Sequence, residues 1–178
     1  MGTEHSMVTT SELVLRNVPG YNMRLEHPEG YRRALSFVED GTPDGGLDAT
    51  EIEVRFASGS KTTTLRYSGD DKLYTVRQFN RDLSDANNNS VLGFTNVLIL
   101  KTYIGGVPGD AVGLRVVETV GSGTGYFLCG GKYIEINWSR ANKESQFIYT
   151  LKDGSELQLG VGKTYICIIS DTLDPAFK

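Results

Sequence analysis

From residue 51 onward the chain alternates apolar with polar positions. In residues 51–57, Ile52, Val54 and Phe56 interleave with Glu51, Glu53 and Arg55; in 62–68, Thr63, Leu65 and Tyr67 interleave with Thr62, Thr64 and Arg66. A period of two puts each set on one face of a strand. Residues 72–79 extend the meander after the turn SGDD. Residues 94–104 break the rule, because NVLILKTYI is apolar almost throughout, which predicts a central strand covered on both faces. The polar run 81–90 and the loop GGVPGD at 105–110 flank it, and 114–120 leads onward.

Residues 120–170 read as short strands cut by glycine turns. Gly130 and Gly131 suit the positive φ angles of a two-residue hairpin between 126–129 and 132–138. In the returning strand Ile134, Ile136 and Trp138 share the core face, while Tyr133, Glu135 and Asn137 share the other. A second hairpin, 147–152 with 156–159, turns at Asp153 and Gly154, and 164–170 closes the series with apolar side chains on both faces. An isolated hairpin is marginal in water, so these strands share one core with the earlier meander.

The N-terminal third is different. Thr9 with Glu12 forms a capping box, Val8 is placed to staple against Leu13, and Val14, Leu15 and Val18 give a short helix one apolar stripe that Pro19 and Gly20 end. So short a helix must dock on the β core or on a further domain. An extended arm follows over 21–38 with a turn at HPEG, then the acidic Gly/Pro linker EDGTPDGGLD at 39–48. The expected fold is mostly β: an antiparallel barrel or sandwich over 49–178, preceded by a helix, arm and linker over 1–48 that form the tail of a preceding domain.

Composition narrows the chemistry. Glycine contributes 21 of 178 residues, which agrees with a turn-rich β chain. A net charge of −4 without a Lys/Arg run argues against nucleic acid as partner. No apolar stretch approaches the ~20 residues that span a bilayer as a helix. Cys129 and Cys167 lie within predicted strands, either as small buried apolar side chains or as a disulfide between neighbouring strands. With two cysteines and two histidines no zinc site of ordinary spacing can be drawn, and no cofactor is expected. His5 and His27, the only imidazole bases, lie outside the β region, which weighs against nucleophilic catalysis. The scattered carboxylates Asp110, Glu118, Glu135 and Asp153 have no pairing spacing.

Two glycine motifs invite a phosphate reading. GSGTG at 121–125 and GVGK at 160–163 are each followed by a strand instead of a helix, so they read as a bulge or tight bend and as a β-turn. Trp138 with Arg140 at a strand end is either core plus rim or an aromatic platform beside a cation, suited to a sugar or a peptide carboxylate. Tyr126 and Tyr133 join them as candidate binding residues, and with Arg140 could serve an oligonucleotide-binding barrel, against which the acidity argues.

FTNVLILKT followed by a loop and GD, then GSGTGYF, GGKYIEINWSR and YTLKDGSELQLGVGKTYI, resemble the C-terminal domain of the YerB-like lipoproteins of Gram-positive bacteria, a domain family of unknown function. The resemblance covers roughly 51–170. EHSMVTTSELV and EGYRRALSFVEDG resemble the close of that family's N-terminal domain, so that most of a first domain and the lipoprotein signal would be missing here. Tyr165 stands where the family commonly has Trp, and Arg140 where Lys is frequent. No catalytic residues carry over, because none are established. The resemblance implies an extracytoplasmic, cell-surface domain without enzymatic activity, binding an envelope protein or cell-wall component and reaching the membrane only through an anchor absent from this chain. The alternative is part of an envelope glycan hydrolase or transferase whose site a missing N-terminal domain completes.

Overall fold

The computed structural model describes residues 9–178 except 22, 28, 32 and 58–60. The chain divides into two compact units, Met1–Arg33 and Ala34–Lys178. In the first, helix α1 (Ser11–Asn17) is capped by Thr10, whose hydroxyl accepts the Leu13 N–H at 3.2 Å. The cap thus falls one residue later than the expected Thr9, and Glu12 sits too early to close a capping box. The staple from Val8 lies outside the described residues. A 3-10 turn, Val18–Tyr21, ends the helix, and His27 stacks on Tyr31 with ring centroids 3.9 Å apart.

The second unit holds sixteen strands among its described residues: β1 (Ser36–Val38), β2 (Leu47–Asp48), β3 (Glu51–Ala57), β4 (Lys61–Ser68), β5 (Leu73–Gln78), β6 (Arg81–Asp82), β7 (Gly93–Phe94), β8 (Asn96–Thr102), β9 (Ile104–Gly106), β10 (Arg115–Val117), β11 (Gly121–Cys129), β12 (Lys132–Arg140), β13 (Ile148–Thr150), β14 (Gln158–Gly160), β15 (Thr164–Ser170) and β16 (Ala176–Phe177). The first sheet runs β13-β12-β11-β8-β15 with β2 beside the start of β12; the second runs β16-β3-β4-β5-β6 with β7 beside β5. The result is sandwich-like, and among the described residues no sheet closes into a barrel.

Two ladders depart from the antiparallel expectation. β15 runs parallel to β8, from Thr164 opposite Asn96 to Ser170 opposite Thr102, and β1 runs parallel to β14. The reason is the path after the second hairpin, which closes as expected with Thr150 opposite Glu156 and the turn at Asp153 and Gly154: the chain then pairs β14 with β1 and enters β15 in the same direction as β8. Residues 34–48, read from the sequence as arm and linker, therefore lie in the β unit and contribute β1 and β2 to it.

The first sheet is apolar on both faces. Val97, Ile99, Leu128, Cys167 and Ile169 pack against Ile52, Val54, Leu65, Tyr74 and Val76 of the second sheet, all buried. Leu98, Leu100, Phe127, Cys129, Ile136 and Trp138 form a second core with Tyr149, Leu157 and Leu159. β8 is the central strand that its unbroken apolar run predicted, with neighbours on both edges. Cys129 and Cys167 fall in different cores, and both are free thiols, so no disulfide joins them.

Burial pushes up the phenols of Tyr67, Tyr74, Tyr149 and Tyr165, raises Tyr126 to about 12, and raises the Cys167 thiol to about 12. A group whose pKa is higher folded than unfolded stabilises the fold fully below its unfolded value and loses that contribution as pH rises through the folded one. The urea midpoint should thus fall steeply above pH 10, the ordinary tyrosine value, and a midpoint flat to pH 12 would show these phenols ionising freely in the folded chain.

Candidate functional site

The four residues singled out from the sequence do not form one surface. Tyr133 and Trp138 are five positions apart on β12, so they project from opposite faces. Trp138 is buried, lies opposite Gly123 in the β11–β12 ladder, and donates its indole N–H to the Lys101 carbonyl at 3.0 Å. A Cβ on Gly123 would collide with that carbonyl and with the indole. The GSGTG motif thus lies inside β11 in regular register, neither phosphate loop nor bend; its glycine makes room for the tryptophan.

Arg140 is equally engaged. Its guanidinium donates to the carbonyls of Ser145 at 2.8 Å and Lys143, reaches Thr119 Oγ1 at 3.4 Å, and lies 5.0 Å from the Phe147 ring centroid. It ties the 141–147 loop to the strand end and does not present a free cation to a ligand. On the opposite face Tyr133 stacks on Phe177 at 3.7 Å, and Tyr126 meets both rings edge-on. The Tyr126 hydroxyl donates to Asp174 Oδ1 at 3.1 Å, and that carboxylate also takes the Lys101 ammonium at 2.5 Å. These aromatics close the sandwich beside the last strand; Trp138 in the core and Arg140 at the rim take the core-plus-rim arrangement and not the aromatic platform that was its alternative.

One open groove lies where the layer over the second core is incomplete. β1, β14 and the 151–157 turn cover the outer face of the first sheet but leave a groove of about 420 Å³. Phe127, Ile134, Leu151 and Leu157 form its floor, and Val38 to Asp44 make one wall. A second cavity of about 500 Å³ continues from it past Asp44, Ile134 and Leu151 to Leu47, Glu135 and Asp153. Of the candidate binding residues Tyr133 lines the second cavity; the lining of the first carried no site reading in the sequence, because that groove exists only once β1 pairs with β14.

Glycine contacts and one buried amide fix the wall. Gly41 packs so closely on the backbone of Leu159 and Gly160 that a Cβ there would overlap it. Gly160 in turn is clamped by buried Asn96, whose Oδ1 accepts its N–H at 2.8 Å and whose Nδ2 donates to its C=O at 2.8 Å. Behind the wall lies Cys129. Burial pushes its thiol up, Asp40 adds to this, and the backbone N–H groups of Gly160, Gly41 and Gly130 only partly offset it, so the sulfur is a packed thiol and not a poised nucleophile. At the wall, Asp40 takes the Thr42 N–H at 2.9 Å, and the hydrogen bonds from Thr42 hold its carboxyl below the usual range. Among the described residues no three His, Cys, Asp or Glu side chains gather to hold a metal.

The structure thus defines a sandwich-like β domain with a shallow, acid-edged apolar groove in its covering layer. Residues 52–166 match the family described as protein of unknown function (DUF3048), C-terminal domain, and the chain belongs to that family. The crystal structure of the YerB protein from Bacillus subtilis has the same fold: TM-score 0.73 at 18% sequence identity, covering 96% of this chain and 54% of that one. This chain therefore spans about half the length of that protein. No curated protein matches the sequence.

Proposed function

We propose that this chain is a non-enzymatic binding module of a cell-envelope lipoprotein, displayed outside the cytoplasm, that engages an envelope protein or cell-wall component through the groove beside β1 and β14. The observation that carries the reading is the groove's floor. Ile134 and Leu151, half-buried members of the second core, remain partly open where the covering layer stops. A pocket of convergent polar groups is what catalysis requires, whereas an open apolar floor suits recognition. The resemblance to YerB-like lipoproteins supports the location, and the groove supports the mode of action.

Gln158 lines the groove with an exposed side chain, so Gln158→Trp should fill it without touching the buried floor. In a pull-down from solubilised envelope, a protein or wall fragment held by the wild type and lost by a folded Gln158→Trp supports the reading. Equal retention by both chains would move binding to another surface, and cleavage of wall glycan by this chain alone would replace it with an enzyme.

A further inference from the structure

We infer that the groove receives an extended peptide segment in which lysine or arginine alternates with apolar side chains; this names the ligand class of the site proposed above and rests on that reading. Three features select this occupant. The floor of Phe127, Ile134, Leu151 and Leu157 offers apolar contact. The charged side chains that line it, Asp40, Asp44 and Glu156, are all acidic. In the adjoining cavity the charges of Lys152 and Glu135 cancel in an ion pair, which leaves Asp153 as the further carboxylate on that edge, held below the usual range by hydrogen bonds from Ser155.

The sheet edge makes a peptide the better fit than a small cation. β2 pairs with Lys132 and Tyr133 of β12, and β13 pairs with Asn137 to Ser139. Among the described residues no strand pairs with that outer edge over Ile134 to Ile136, which leaves main-chain groups for an incoming backbone beside the apolar floor. Side chains of an extended segment alternate between two faces, so apolar ones meet the floor while cations reach the acidic rim. A polyamine meets the rim and leaves the floor uncovered.

The test uses the full chain, isotope-labelled, titrated with the blocked pentapeptide valine-lysine-valine-lysine-valine and followed by amide chemical shifts. Shifts should appear at Asp40, Asp44, Ile134, Glu135 and Glu156, with affinity that falls as salt is added. The double variant Asp44→Asn/Glu156→Gln should bind about three- to thirty-fold more weakly, given the modest worth of exposed ion pairs. Absence of shifts at these amides, equal shifts with glutamate in place of lysine, or the same response and affinity from spermine would each overturn the peptide assignment. If the peptide fails while envelope capture is still lost in Gln158→Trp, the groove binds something else; if capture is indifferent to Gln158→Trp, the binding-site reading itself falls.

Discussion

Replacing Trp138 with alanine is expected to destabilise the β unit by about 3–5 kcal/mol, the range for removing a large buried aromatic side chain. The indole is 3% exposed and sits in the second core, with the Phe147 ring centroid 5.6 Å away. Collapse into the vacated volume is hindered on two sides. Opposite stands Gly123, which has no side chain to move in, and Phe147 lies under the Arg140 guanidinium that ties its loop to the strand. The loss also strips the Lys101 carbonyl of its indole donor. Trp138→Phe separates the terms: it keeps most of the ring and loses the N–H, so about 1–3 kcal/mol should remain. Urea unfolding must be followed by far-ultraviolet circular dichroism, since Trp138 is the chain's only tryptophan. A cost below about 1 kcal/mol for alanine would mean that this core repacks freely.

What could be read from the sequence follows the range of each interaction. The Gly130–Gly131 hairpin was legible because turn chemistry is local: both glycines have positive φ, 59° and 75°. The meander was legible because period-two alternation survives burial, with Ile52, Val54 and Leu65 inside as the pattern required. The same arithmetic also separates Tyr133 from Trp138, an odd number of residues apart on one strand, so these two candidate binding residues could not share one face of it. The parallel pairing of β15 with β8 was not legible. It depends on where the chain travels between residues 151 and 163, and no local pattern records that path. The same holds for β1, whose partner lies more than a hundred residues away, and hence for the groove its pairing creates. Asn96 left a faint signal, one amide at the head of the apolar run NVLILKT, and burial gave it its meaning.

That amide underlies the second large effect. Asn96→Ala should cost about 2–5 kcal/mol, because it orphans two backbone groups at once, each worth about 1–3 kcal/mol when buried unpaired. Asn96 is fully buried, and Gly160, also buried, places both its N–H and its C=O on the one side chain. Asn96→Asp tests the direction of the clamp. Its carboxylate can still accept the Gly160 N–H, but it turns an acceptor toward the Gly160 carbonyl where Nδ2 had donated. Burial and that opposition should raise the new carboxyl's folded pKa above its unfolded value, so the variant's deficit relative to wild type should be smallest in acid and grow as pH rises through the folded pKa. A deficit independent of pH would mean the carboxylate finds another donor or water. The consequence reaches the groove, because Gly160 backs Gly41, and Gly41 belongs to the wall that ends at Asp44. Asn96→Ala, assayed at a temperature where it remains folded, should therefore weaken pentapeptide binding although Asn96 is not among the groove-lining residues. Unchanged affinity in a destabilised Asn96→Ala would show that the wall holds its shape without the clamp.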